Sequence, residues 1–353
     1  MNPGYEFSVL KGTEEMRFWE NAIDAIPSAT FFHTNDWLSF IEKRFQLKLK
    51  RVFIVNSGNI VGVLPLFERK YGFFKIAGSP LIAENNPYMG FAIKEKECID
   101  LIIPSFDRFL KKEGIDFFRA SFDHSDYNNH FVSQGFAVKE KKSFRIDLSK
   151  DEQLLWKGIG QKTRNMVRKA IKSNLIATEI SNGSMLDSYY EMSREVYSRQ
   201  GLPPLLEKEY YQDLYSSIIK KGFGKIFMVK NLGGDAVAGA IVLMHRDKAY
   251  YLDGASFRNY SNLGTNNLLQ WFIIETLKES GFISYDMLGG DIPSIAKFKK
   301  SFGSINHPTV YVEKPVSVLS RFARKVYAKQ KNLYKIFVYS MNRLKDRSKT
   351  NLL

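Results

Sequence analysis

Two acids in the C-terminal half follow short apolar runs: Asp286 in Tyr285-Asp286-Met287-Leu288-Gly289-Gly290-Asp291, and Asp253 in Leu252-Asp253-Gly254-Ala255-Ser256. A carboxylate at a strand end, beside glycines that let a ligand approach the backbone, is placed to hold or deprotonate an attacking amine. The same short acids serve equally well to cap the turn or helix that follows. Lys297 and Lys299 come next, on a segment where Phe298 and Phe302 share a helix face by their spacing of four. An ammonium held there stabilises the oxyanion of acyl transfer or the phosphate of an activated donor. Farther upstream, Lys162 to Lys172 puts Arg164, Arg168 and Lys172 on one face of a helix. Such a stripe either clamps a phosphate through bidentate guanidinium contacts or is a solvated face.

Other chemistry has little support. His33, His124, His130, His245 and His307 fit neither HExxH nor a facial triad, so no metal site is expected. There is no Gly-x-Ser-x-Gly elbow and no Walker loop. Cys98 is the only cysteine, which rules out an internal disulfide framework and suits a reducing compartment.

The elements that must position these residues recur along the chain. An offset of 167 residues lays Leu110–Gly114 on Leu277–Gly281, Phe117-Phe118 on Ser284-Tyr285, Phe131 on Phe298 and Phe144 on Tyr311. Farther upstream the offset grows, and Val52–Val55 matches Ile226–Val229. Both strands enter Gly-containing turns, at 56–59 and 231–235, that read as hairpins. The second half reads as helix 151–173, strand 175–180, helices 185–200 and 208–221, and strands 225–230, 236–244 and 249–252. Helix 264–280, strand 283–287, a short helix 294–301 and strand 309–313 complete it. An antiparallel meander, then a helix, then another strand differs from a doubly wound parallel sheet.

Four segments carry a family resemblance over roughly residues 5 to 315: Phe32-His33-Thr34-Asn35-Asp36-Trp37, Lys162 to Ala170, Tyr285 to Gly290, and Phe298-Lys299-Lys300-Ser301-Phe302-Gly303. Through them the chain resembles the FemAB-like members of the GNAT superfamily. The resemblance implies an α/β fold of two tandem GNAT-like domains with mixed, largely antiparallel sheets, at 1–147 and 148–315, the first degenerate and the second holding the main site. It implies transfer of an activated acyl or aminoacyl group to an amine of a cell-envelope glycan or peptidoglycan precursor. Asp286, Lys299 and Asp253 are the expected catalytic residues, Lys299 being the nearer match to a family active-site lysine and Lys297 the second. Arg164, Arg168, Lys172, Lys297, Trp37 and Tyr251 are expected to bind substrate, a nucleotide- or lipid-linked precursor. The helical arm inserted in many tRNA-dependent bridge enzymes has no room between Met185 and Lys221, which points to the polysaccharide-associated group.

Acetyl-CoA-dependent GNAT enzymes cradle pyrophosphate on a Gln/Arg-x-x-Gly-x-Gly/Ala loop, whereas here Phe257 to Asn266 keeps one glycine. Acetyl-CoA is therefore a doubtful donor, an acyl thioester or aminoacyl-tRNA remains, and no tightly bound cofactor is expected. Gly264, Thr265 and Asn266 are the positions left for anion binding.

The formal charge of +15 asks for an anionic partner. From Val316 onward there are ten Lys and Arg against one acid, in a pattern that predicts a basic amphipathic helix over 316–353, suited to an anionic membrane surface or to packing on protein. The first thirty residues lack the apolar core of a signal peptide, and no apolar run reaches the roughly 20 residues of a membrane span. A cytoplasmic, peripherally membrane-associated enzyme is the expectation. The rival is a non-catalytic basic module for nucleic acid or anionic membrane. Against it, the charge is concentrated in the tail and no helix-turn-helix, RRM or zinc pattern is present.

Overall fold

The computed structural model describes residues 4–9, 14–81, 86–95, 98–124, 126–180, 183–199 and 201–324. The first half runs β1 (Glu6–Val9), α1 (Glu15–Ala25), α2 (Asn35–Phe45), β2 (Lys48–Asn56), β3 (Asn59–Tyr71), β4 (Phe74–Ser79), β5 (Ala92–Ile93), α3 (Ile99–Lys112), β6 (Phe117–Phe122), α4 (Asn128–Ser133) and β7 (Ala137–Asp147). Two helices follow, α5 (Glu152–Gly158) and α6 (Gln161–Lys172). The second half then repeats the order with β8 (Ile176–Ile180), α7 (Leu186–Ser198), α8 (Lys208–Leu214), β9 (Gly224–Lys230), β10 (Ala236–His245), β11 (Lys248–Ser256), α9 (Thr265–Glu279), β12 (Ser284–Asp286), α10 (Pro293–Lys300) and β13 (Ile305–Pro315).

Two expected helices differ in detail. The helix expected over 151–173 breaks at Ile159-Gly160, where Gly160 N donates to Ser301 O at 2.8 Å and the chain turns between α5 and α6. The helix expected over 208–221 continues past α8 as a π-helical segment, Tyr215–Phe223. Of the expected tail helix, residues 318–324 are helical and 325–353 lie outside the described residues.

All strands join one sheet in the order β1-β2-β3-β4-β6-β13-β7-β12-β11-β10-β9-β8, with β5 on β3. The 167-residue offset equates β7 with β13, yet β7 pairs with β12 and β13 pairs with β6. The halves have therefore exchanged their last strands. The exchanged strands pair antiparallel, and Lys141 opposite Thr309 maps onto Pro308 opposite Lys142, so a pseudo-twofold axis passes between these pairs. The sheet is continuous across the expected division at 147/148.

Burial follows from this symmetry. β10 (AVAGAIVLMH) is almost wholly buried, because a central strand covered on both faces has no polar side to present. One face carries a core shared by the halves, in which Trp19, Phe31, Phe32 and Trp37 meet Tyr189, Tyr210 and Tyr250. The other face carries two separate cores. One is built on Phe106, Phe118 and Phe122 under α3, the other on Trp271, Ile273 and Tyr285 around α9.

Candidate active site

β11 and β12 pair in parallel only where Lys248–Tyr250 lies beside Ser284–Asp286. Beyond that point they diverge. Across from β10, Ile241 pairs with Asp253 and Val242 with Tyr251, leaving Leu252 as the extra residue of a bulge. A bulge bends its strand and re-aims the side chains around it. The divergence opens a cleft of about 740 Å³ whose walls include Tyr251, Asp253, Asn266, Gly289 and Lys299, with Arg199 of the α7–α8 connection at its side.

Two acids line this cleft, Asp253 inside it and the exposed Asp291, whose Oδ1 accepts from Lys142 N, and the better placed is Asp253. Its Oδ2 accepts from Tyr211 Oη at 2.9 Å, its Oδ1 accepts from Gly254 N at 2.9 Å, and Tyr189 stands beside it. Burial raises the carboxyl above the usual Asp range, while the Tyr211 and Gly254 donors work in the opposite direction. Lys299, in α10, is a buried cation of the wall, where Arg199 is an exposed one. Its Nζ donates to Met287 O at 2.5 Å, Leu288 O at 2.9 Å and Gly289 O at 2.5 Å, and lies 5.7 Å from the centre of the Tyr251 ring. Burial lowers this ammonium to about 8, with the Asp286 charge opposing the shift. Three N–H donors on three carbonyls leave none for an oxyanion, so Lys299 acts here by pinning the turn after β12 and by placing charge in the wall.

The remaining expected residues lie elsewhere, each for a definite reason. Asp286 is buried, and both its oxygens are taken: Oδ1 by Ser143 Oγ (2.8 Å) and Leu288 N (2.8 Å), Oδ2 by Tyr88 Oη (2.9 Å) and Arg145 Nε (2.7 Å). Arg145 also pairs with Asp123, which accepts His307 Nε2 on its backbone oxygen at 2.7 Å. A carboxylate held by four donors braces the strand exchange and has no lone pair free for an amine. Arg164 donates to the backbone oxygens of Trp156, Lys157 and Ile159, which caps α5, and Arg168 lies 5.4 Å over the Trp156 ring. The cationic stripe thus exists but is spent on α5, with Lys172 exposed beyond it. Lys297 is exposed outside the cleft. Trp37 is fully buried, its Nε1 donating to Asn86 Oδ1 at 3.0 Å among the rings of Phe31 and Phe32, so it is core.

The α9 N-terminus is closed to a pyrophosphate. Gly264 has φ +83°, and a Cβ on it would lie 2.3 Å from Met166 O, so α6 packs directly against the backbone there. Thr265 is fully buried with its hydroxyl on Tyr260 O, and Lys169 Nζ donates to Asn262 O at 2.8 Å. Of the three expected anion ligands, Asn266 alone lines the cleft.

The matching position of the first half is filled. Between the ends of β4 and β6, Met89 N donates to Ser121 O at 2.9 Å and Gly90 N to Ser79 O at 3.1 Å. Gly90 fits because a Cβ would lie 2.2 Å from the Phe122 ring. Sequence reasoning missed Tyr211, Tyr189 and Arg145, whose signals were an unusual Tyr210-Tyr211 pair and an arginine inside an otherwise apolar strand end.

No described helix is long and apolar enough to cross a membrane. Residues 161–300 match the family model described as acetyltransferase (GNAT) domain. No curated protein matches the sequence. Among solved structures, FemX is similar with a TM-score of 0.68 at 16% identity, over 86% of this chain and 96% of that one. L-PGS from Bacillus licheniformis gives 0.54 at 12% identity, over 86% and 93%. A tandem GNAT protein from the clavulanic acid biosynthesis pathway gives 0.56 at 11% identity, over 89% and 99%. At these identities the likeness is one of fold. Residues 161–300 thus match a GNAT-type acetyltransferase domain, and the fold of the chain is like that of a tandem GNAT protein.

Proposed function

We propose that the protein transfers an activated acyl or aminoacyl group to an amine of a nucleotide- or lipid-linked cell-envelope precursor, in the cleft between β11 and β12. The observation that carries this reading is Asp253: an acid with a raised pKa, held by Tyr211 and Gly254, in the wall of the cleft where β11 has parted from β12 and keeps β10 alone as its neighbour. The acceptor amine attacks the donor carbonyl, the new C–N bond forms, and the bond from carbonyl carbon to the carrier oxygen or sulfur breaks. Asp253 takes the amine proton, and the carrier leaves with the bonding electrons. Alignment of the two substrates supplies the larger part of the acceleration. The filled cleft of the first half makes that half a wall rather than a second centre.

The closed α9 N-terminus supports a donor other than acetyl-CoA, so aminoacyl-tRNA or another acyl carrier is the proposed donor. The partly described basic tail supports peripheral association with the inner face of the membrane. The test is a transfer assay read by mass spectrometry. Aminoacyl-tRNA, acyl carriers and acetyl-CoA are offered as donors with nucleotide- and lipid-linked amino-sugar or peptide acceptors. Product from a carrier other than acetyl-CoA that is lost in Asp253→Asn supports the reading. Acetyl transfer from acetyl-CoA at full rate, or full activity in Asp253→Asn, overturns it.

A further inference from the structure

We propose that the edge of the first half formed by the β3–β4 hairpin tip and the helix over residues 318–324 docks on an anionic phospholipid bilayer. The tip reads Tyr71-Gly72-Phe73-Phe74, with Tyr71 52% and Phe73 77% exposed and the Phe73 and Phe74 rings 4.5 Å apart. Tyr71, with an apolar ring and a polar hydroxyl, suits the headgroup level of a bilayer, and the wholly apolar Phe73 and Phe74 rings suit the acyl chains just beneath it. The helix after β13 has its apolar side outward: Val318, Leu319 and Phe322 are 65%, 53% and 62% exposed, while Ser320 is buried.

These two features form one surface. Lys75 N donates to Asp116 Oδ2 and Asp116 N donates to Lys75 O, both at 2.8 Å, while Val316 N donates to Asp116 O at 2.7 Å. The Arg324 guanidinium lies over the Phe117 ring at 5.2 Å and pairs with Glu313. The hairpin and the helix are thereby tied to the same loop.

Charge selects the partner. At the root of the hairpin, Lys48, Arg69, Lys70 and Lys75 line a hollow of about 430 Å³. Its one acid, Glu68, is buried and already paired with Lys50 and Lys75. Such a hollow beside an aromatic tip suits the phosphates of headgroups whose acyl chains receive the rings. Residues 325–353, which continue from this edge, carry eight Lys and Arg against Asp346. Strand directions add a consequence. β4 is parallel to β6, and β6, β13, β7 and β12 alternate in direction, so β4 starts at the sheet edge where β11 and β12 end and the cleft opens. The docking itself stands independently of the acyl-transfer reading.

The experiment is vesicle flotation of the full chain on phosphatidylcholine with and without phosphatidylglycerol, at low and high salt. Two variants in the full chain accompany it, Tyr71→Ser with Phe73→Ser and Lys48→Glu with Lys70→Glu. Binding should require phosphatidylglycerol and weaken with salt. It should fall roughly tenfold in each double variant, with melting temperature unchanged. No binding, equal binding to neutral vesicles, or wild-type binding by both variants overturns the proposal, the last leaving residues 325–353 as the sole contact. A wild-type dimer in sedimentation that Tyr71→Ser with Phe73→Ser dissociates, without vesicle binding, would assign the surface to a second copy and overturn it as well.

Discussion

Replacing Asp286 with Asn keeps the side-chain volume and removes one acceptor from a site that uses both oxygens. The amide oxygen can take over the bonds from Ser143 Oγ and Leu288 N, which leaves the amide nitrogen facing Tyr88 Oη and Arg145 Nε. The Tyr88 hydroxyl can rotate to accept. Arg145 has only donors, so it loses one charge-assisted bond, worth about 2 kcal/mol, and keeps Asp123 as its sole carboxylate. Two donors pressed together in a buried site add to this, for a total of about 3–4 kcal/mol. In a chain of this size that lowers the melting temperature by roughly 4–5 °C. Scanning calorimetry on wild type, Asp286→Asn, Arg145→Met and the double variant measures it. The double variant should be less destabilised than the sum of the singles, since both singles break the same Arg145–Asp286 pair and its loss is counted twice in the sum. Asp286→Asn melting within about 1 °C of wild type while turnover is abolished would refute the brace and restore Asp286 as a base.

Asp253→Asn should lower turnover by about a hundredfold or more with little change in melting. Tyr211→Phe removes a donor that holds the Asp253 carboxyl down, so the acid limb of the pH–rate profile should move to higher pH. Lys299 titrates near 8 when folded and has an ordinary value of 10.5. The unfolded chain therefore binds the extra proton between these values, and the stability of wild type relative to Lys299→Met should rise with pH across that window and be flat below it. A pH series of melting curves checks this. Gly264→Ala, at φ +83° and with its Cβ driven against Met166 O, should cost more than about 2 kcal/mol in denaturant unfolding, whereas Gly289→Ala, whose Cβ meets nothing within 4 Å, should be close to neutral. Arg164→Ala should lower stability by about 1–2 kcal/mol through the uncapped end of α5 and leave substrate binding unchanged.

Element order was legible because it depends on local periodicity. The 167-residue offset places the start of β6 on the start of β12 and β7 on β13 within a residue, and the hairpin turns fall where the glycines announce them. The exchange of β7 and β13 was not legible, since either pairing buries the same alternating side chains and register alone decides between them. Site residues divide along the same line. Asp253 and Tyr251 line the cleft at a strand end that shows in the sequence, and Asn266 at a helix start that does. Asp286 shares that signature, yet its partners Tyr88, Ser143 and Arg145 come from 198, 143 and 141 residues away, which no local pattern reveals. Arg164 and Arg168 share a face as the spacing predicts, but spacing could not show that α5 would fold back beneath them.

The two halves make different use of one topology, and the lengths of their connections explain it. In the first half the chain from β4 to α3 spans residues 80–98, long enough to lay Met89 and Gly90 between β4 and β6 and to pair a short β5 on β3. In the second half the chain from β11 to α9 spans only 257–264, six of these residues wound into 3-10 helix, too short to reach into the gap between β11 and β12. The open gap then exposes strand backbone that only a ligand or water can satisfy. Lys299 offsets part of that cost by bonding three carbonyls just past the end of β12, and Asp286 offsets more by taking the Leu288 N–H. Because Asp286 is itself fixed by Arg145 of the exchanged strand β7 and by Tyr88 of the first-half loop, the walls of the second-half cleft are set by residues of both halves. An isolated second half would lack the strand beside β12 and the brace on its turn, so the cleft belongs to the duplicated chain as a whole.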